Sequence, residues 1–138
     1  HYVHPDLLNF AMKFTKSIHQ LMLVHVEDQD TFEHYMNAIE KIPGINTDFA
    51  REEILAQLLK GPQEYMDKVK ESLEKVDREL KIDIHSDMGH LMKAYQKLVE
   101  NTSVDLMIFE ANDDTQLAMH SLGHSMAVEF KEIPIFLF

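Results

Sequence analysis

Hydrophobic residues follow two periodicities along the chain, and together they predict a mixed α/β fold. Residues 21–26 and 104–109 are almost continuously apolar, which is typical of strands buried on both faces. Residues 135–138 form a third run of this kind, and residues 81–85 alternate between polar and apolar, as in a strand with one polar face. Between these runs, apolar residues recur every three or four positions, which predicts amphipathic helices.

The helices take their expected limits from this spacing and from caps and breakers. One helix is predicted to run to about Ser17 and to feed directly into the first strand, and a polar turn comes next at residues 27–30. The next helix covers residues 31–42, and another starts from a cap at Thr47 or Asp48 and is interrupted at residues 61–62 (Gly-Pro). Further helices are predicted over residues 66–80, after a turn at residues 86–89, and over residues 119–133, where Pro134 ends the last.

The order helix–strand–helices–strand–helix–strand–helix–strand predicts an α/β fold, a three-layer sandwich with a mostly parallel sheet. We expect one domain over residues 1–138, because no repeat, low-complexity segment or linker divides the chain. In such a fold the leading helix normally follows a strand. We therefore expect that the first strand is missing, either because the chain lacks it or because an earlier segment precedes His1.

Composition narrows the class of protein. The chain has 138 residues, 45% of them hydrophobic, which is enough for one core. The formal net charge of −11 predicts no nucleic-acid partner and no anionic lipid surface. No apolar run approaches the ~18 residues of a membrane span, so we expect no direct membrane insertion. No cysteine is present, and with no visible signal peptide this favours a cytoplasmic protein.

Candidate chemistry is sparse. His120 and His124 lie four residues apart on the predicted last helix, a spacing that suits two metal ligands, with Glu110 or Asp113 as a third. The alternative is that both histidines lie on a partly wet helix face, and we expect no metal and no cofactor. Residues 110–114 read more simply as turn and cap than as a carboxylate pair, and no activated nucleophile is visible, so we expect no enzyme.

Several short stretches carry a resemblance to a known family. Residues 104–108 (Val-Asp-Leu-Met-Ile) and 133–137 (Ile-Pro-Ile-Phe-Leu) resemble the fourth and fifth strands of the universal stress protein family. Residues 87–89 (Asp-Met-Gly) lie where that family often has a glycine-containing turn. The resemblance covers nearly the whole chain and implies a universal stress protein-like domain, similar to the adenine nucleotide alpha hydrolases, that begins after the family's first strand.

The resemblance also implies a ligand pocket at the strand ends. ATP-binding members carry Gly-x2-Gly-x9-Gly-Ser/Thr after the fourth strand. That spacing places Glu110 and Asp113 at the first two glycines, Gly123 at the third and His124 at the hydroxyl position. If the family's motif is aligned from Pro134 instead, Ser121 occupies the hydroxyl position. Carboxylates would repel phosphates, so we expect a pocket of Glu110, Asp113, Gly123, His124 and Ser125 that does not bind ATP in the family manner.

The family's members commonly dimerise through their fifth strands, which implies a homodimer interface at Ile135, Phe136, Leu137 and Phe138. The alternative is that these residues only complete an internal sheet. The resemblance thus implies a non-catalytic regulatory or stress-response module acting through dimerisation and protein contacts. Two alternatives stay open: a small-molecule or nucleotide sensor, possibly the cytoplasmic domain of a parent transporter, and a histidine-based metal binder.

Overall fold

The computed structural model describes residues 5–14, 20–109 and 122–137. Helices and strands alternate along this part of the chain except for two consecutive helices between the first two strands. In chain order the elements are α1 (Pro5–Met12), β1 (Gln20–Asp28), α2 (Gln29–Ile39), α3 (Thr47–Val76), β2 (Lys81–Gly89), α4 (Leu91–Asn101), β3 (Met107–Phe109), α5 (Leu122–Glu129) and β4 (Ile135–Leu137).

The strands of the described residues pair in parallel. β1 pairs with β2 over nine residues, from Gln20 opposite Lys81 to Asp28 opposite Gly89. β3 pairs with β4 over three residues, from Met107 to Phe109. The mixed α/β class is therefore confirmed, with short parallel sheets of two strands each. The three-layer sandwich with one larger sheet stays a prediction.

The described chain divides into two compact units, and each contains one sheet. One unit comprises residues 20–94, where α2 and α3 contact both strands of the β1–β2 sheet. Its core is apolar and consists of Leu23, Phe32, Met36, Met66, Leu73, Leu80 and Ile82. The other unit comprises residues 5–14, 95–109 and 122–137, with Met107 and Met126 buried. The expectation of a single domain stays a prediction.

Both strands of the β1–β2 sheet are longer than the sequence predicts. The expected turn at residues 27–30 is wrong, because β1 continues to Asp28 and α2 begins at the next residue. The expected turn at residues 86–89 is wrong for the same reason, since β2 stays extended to Gly89. Pairing along the whole of β1 supplies backbone hydrogen bonds that outweigh the turn preference of these polar residues.

α3 is a single helix of 30 residues, so the expected interruption at Gly61 and Pro62 is wrong. Proline in a helix interior removes one backbone hydrogen bond. Met66 and Leu73, which follow Pro62, are buried in the core of this unit. They reach the core only if the turns after Pro62 continue along the same helix axis, so their burial stabilises the uninterrupted helix. Its N-cap is Asn46, whose side chain accepts from the Phe49 N–H at 3.2 Å, and neither Thr47 nor Asp48 caps it.

The elements of the other unit are shorter than predicted. α1 ends at Met12, and the expected remainder falls partly on residues 15–19, which lie outside the described residues. β3 begins at Met107 and not at residue 104. α5 ends at Glu129 and does not continue to residue 133. The chain has to leave the helix before Pro134, because the Pro134 carbonyl accepts a hydrogen bond from the Met107 N–H of β3 at 3.0 Å. No helix in the described ranges is long and apolar enough to cross a membrane.

Candidate functional site

The carboxyl ends of β1 and β2 bring polar side chains together. In a parallel pair both strands end at the same edge of the sheet, and here Asp28 is the register partner of Gly89. α2 begins immediately after Asp28, and α4 begins at Leu91, one residue beyond His90. Ligands of open α/β sheets bind beyond the carboxyl ends of the strands, so this edge is the candidate ligand site of the β1–β2 sheet.

Asp28 already occupies the start of α2. Its carboxylate accepts a hydrogen bond from the Thr31 hydroxyl at 2.6 Å and a longer one from the Asp30 N–H at 3.4 Å. A helix N-terminus carries partial positive charge and would otherwise favour an anion such as a phosphate. Because a carboxylate fills this position, the α2 terminus does not favour a phosphate ligand.

His90 joins the starts of two helices. Its Nδ1 lies 3.2 Å from Oδ1 of Asp30, near the first turn of α2, while His90 itself immediately precedes α4. Both side chains are exposed, so the contact contributes little to stability by itself. The contact places an imidazole and a carboxylate side by side at the carboxyl ends of β1 and β2.

A second polar group lies on one face of the same sheet. Nε2 of His25 lies 3.2 Å from Oε2 of Glu27, two residues along β1, and both side chains are about three-quarters buried. Ser86 is the register partner of His25, so their side chains lie on the same face. The Ser86 hydroxyl is buried and has no hydrogen-bond partner among the described residues. Buried polar atoms are seldom left unpaired, so this hydroxyl is an unusual feature of the sheet.

The titratable side chains of the described residues form no candidate metal cluster. Within these ranges no group of three or more histidine, aspartate and glutamate side chains could hold a metal ion. His25 is hydrogen-bonded within its strand, and burial raises the pKa of Tyr95 above its ordinary value, so this phenol stays protonated at neutral pH. Neither group is arranged as a base beside an exposed nucleophile.

The pocket predicted after β3 falls largely outside the described residues. Glu110, Asp113, His120 and Ser121 belong to the range 110–121, where the prediction stays untested. Gly123, His124 and Ser125 lie in the first turns of α5, where Gly123 is buried and the other two residues are exposed. A Cβ at Gly123 would overlap the Leu137 side chain, so this glycine allows α5 and β4 to approach closely.

The predicted dimer strand is present as β4, and Phe138 lies outside the described residues. Phe136 packs edge-on against Phe10 of α1, with ring centroids 5.5 Å apart, and lies 5.6 Å from the ring of Phe14. Even so, Phe136 and Leu137 are 42% and 47% exposed. β4 therefore packs against α1 through Phe136 and against α5 through Leu137, and both side chains still present apolar surface.

Sequence reasoning missed the polar edge of the β1–β2 sheet. The local pattern predicts two separate turns at residues 27–30 and 86–89, although each follows a predicted strand. The parallel order of the strands was the available signal, because it requires Asp28 and Gly89 to end at the same edge. The unpaired Ser86 hydroxyl had no signal in the sequence, since it depends on the packing around β2.

No model of a known protein family, no characterised protein and no solved structure matches this chain. The resemblance to the universal stress protein family therefore stays a prediction.

Proposed function

We propose that this chain is a non-catalytic regulatory module, resembling the universal stress proteins, that self-associates through β4 and does not bind ATP in the family manner. The observation that carries the proposal is the exposure of Phe136 and Leu137 on a strand that has a free edge among the described residues. Exposed apolar strands at a sheet edge invite pairing with another chain.

The backbone of β4 has groups available for such pairing. Met107 of β3 donates its N–H to the Pro134 carbonyl at 3.0 Å. Because backbone groups alternate between the two sides of a parallel strand, Phe136 directs its N–H and carbonyl toward β3. Those of Ile135 and Leu137 then point to the free edge. A second copy related by a two-fold axis would pair with these groups in an antiparallel arrangement and cover both exposed side chains.

Two electrostatic features support the part of the proposal that concerns ATP. Asp28 places a carboxylate at the α2 N-terminus, where a phosphate would otherwise be favoured. The net charge of −11 repels a polyanion at long range as well. Ligand binding at this edge therefore favours neutral or cationic groups over nucleotide phosphates.

The mass in solution tests self-association. We expect the chain to sediment as a dimer at micromolar concentration and Leu137→Lys to sediment as a monomer, because a lysine beside a free edge opposes pairing while its methylene stem still packs near Gly123. Leu137→Met is the matched control, since it keeps an apolar side chain of similar volume, and it should remain dimeric. A monomeric parent chain, or a Leu137→Lys variant that stays dimeric, would refute self-association through β4.

One observation favours a second function, that of a small-molecule sensor. The buried, unpaired Ser86 hydroxyl lies beside the His25–Glu27 pair, and a bound hydrogen-bonding ligand would satisfy it. Thermal unfolding with and without Mg-ATP, ADP and cyclic nucleotides tests both proposals together. A ligand at a hundred times its Kd adds about 2.7 kcal/mol to stability. A shift with ATP refutes the proposal about ATP, and a shift lost in Ser86→Ala supports a sensor site at Ser86.

A further inference from the structure

The residues of β1 and β2 indicate which of the two strands is an outer strand and which is suited to pairing on both edges. β2 alternates polar and apolar residues, with Lys81, Asp83, His85 and Asp87 on one face. This is the pattern of an outer strand, because charged side chains oppose further pairing. β1 has no charged residue and no proline from residue 21 to residue 26, and apolar side chains lie on both of its faces. Such strands belong in the interior of a sheet.

Burial shows the same division. No residue from position 21 to position 28 of β1 is exposed, whereas Lys81 and Asp87 of β2 are. Leu23 and Ile82 lie on the same face of the sheet, and both are buried. Met22, Val24 and Val26 lie on the other face and are partly buried. β1 therefore has the environment of a central strand on both faces.

The hydrogen-bonded pairing of β1 is not that of a central strand. Among the described residues, β1 pairs with β2 alone. Backbone groups alternate between the two sides of a parallel strand, so about half of the β1 residues direct their N–H and carbonyl groups away from β2. A two-stranded sheet is also marginal by itself, and a third strand adds both hydrogen bonds and apolar contacts.

We propose that the free edge of β1 is a docking site for a third, parallel strand supplied by a partner peptide that is uncharged and apolar on both faces. The apolar residues on both faces of β1 require this composition, since each would lie beside a side chain of the incoming strand. The parallel direction is expected from the buried, parallel character of the sheet. A second copy related by a two-fold axis would instead pair β1 with itself in an antiparallel arrangement.

Charge selects the residues that come directly after the apolar run of the partner peptide. In a parallel arrangement, the carboxyl end of the incoming strand lies beside Glu27 and Asp28. These carboxylates favour a lysine or arginine immediately after the apolar residues and disfavour an acidic one. The docking site is separate from β4, so it stands or falls independently of self-association through that strand.

Hydrogen exchange of the full, ¹⁵N-labelled chain tests the proposal with a synthetic peptide. The peptide carries six valine and isoleucine residues and then two lysines, and N-methylation of alternate residues leaves one hydrogen-bonding edge and prevents fibre growth. We expect every second amide of β1 to exchange rapidly in the free protein. At ten times its Kd the peptide should slow this exchange about tenfold, and a fully N-methylated peptide should have no effect. Protection of all β1 amides before addition, or none afterwards, would overturn the proposal.

Two substitutions at one register position locate the peptide. Val24→Lys places a charge on β1 and should abolish peptide protection, whereas His85→Lys, its register partner on β2, should retain it. A spin label at the peptide's amino terminus gives the direction without altering the protein. Broadening of the Gln20 amide supports the parallel arrangement. Broadening of the Asp28 amide, or equal loss of binding in both variants, would overturn it.

Discussion

Replacing Ser86 with alanine is expected to stabilise the protein, although the change removes a polar atom from its interior. The Ser86 hydroxyl is buried, and no described residue forms a hydrogen bond with it. In the unfolded chain the same hydroxyl bonds to water, so folding exchanges a satisfied group for an unsatisfied one. Alanine retains the β-carbon on the strand and removes only the group that carries this penalty.

The magnitude is the balance of two opposing contributions. An unsatisfied buried hydroxyl costs about 1–3 kcal/mol. Its removal leaves a void smaller than a methyl group, which costs up to about 1 kcal/mol. The difference is a gain of about 1 kcal/mol in the free energy of unfolding. With a urea dependence of about 1–3 kcal/mol per molar, the unfolding midpoint should rise by roughly 0.3–1 M.

Urea unfolding monitored by circular dichroism measures this gain. Ser103→Ala is the matched control, because it deletes the same atom at an exposed position outside the helices and strands and should change stability by less than about 0.5 kcal/mol. A lower midpoint for Ser86→Ala would refute the reasoning, since it would mean that the hydroxyl is satisfied in solution. Addition of a ligand that bonds to Ser86 should reverse the order of the two proteins.

Two further predictions concern the helices of the same unit. Pro62→Ala should raise the free energy of unfolding by about 2 kcal/mol, measured by urea unfolding. An interior proline costs a helix about 3 kcal/mol, and the smaller entropy of the unfolded chain that proline causes offsets only part of this cost. A lower free energy of unfolding in the variant would show that Pro62 packs better than alanine. The bidentate hydrogen bond from Arg51, at 2.6 and 2.9 Å, lowers the pKa of Glu33 below its ordinary value of 4.5. This contribution is present above the unfolded pKa and is lost as the pH falls through the folded one. The stability difference between the parent chain and Glu33→Gln should therefore shrink as urea midpoints are taken from pH 6 to pH 3, and a difference that grows would contradict the assignment.

The sequence predicts the helices and strands better than their ends. Continuous apolar runs mark β1 and β4, and the spacing of apolar residues marks α4, because burial requires these patterns whatever the neighbours are. The ends depend on pairing. Asp28 and Gly89 are residue types that favour turns, yet both lie in strands, where each is the register partner of the other. Local preference is a weak guide wherever a tertiary partner supplies the hydrogen bonds.

Some contacts of the candidate site follow from the local sequence, and others depend on the order of the strands. His25 lies in an apolar run that predicts a strand, and its contact with Glu27 joins two residues of that strand. The contact of His90 with Asp30 joins residues 60 positions apart, and no local pattern predicts it. Only the parallel order of β1 and β2 brings these residues to one edge. The pocket predicted from Glu110 and Asp113 stays a prediction, since both lie outside the described residues.

The length of α3 has a mechanical consequence. At 1.5 Å per residue its 30 residues extend about 45 Å, whereas the nine residues of β1 extend about 30 Å. The helix is therefore about three turns longer than the strand it contacts. Residues near both ends are in water: Phe49 is 65% exposed and Val76 is 81% exposed. Sliding α3 by one turn would keep the sheet covered, so the buried side chains of Met66 and Leu73, and not the helix length, set its register.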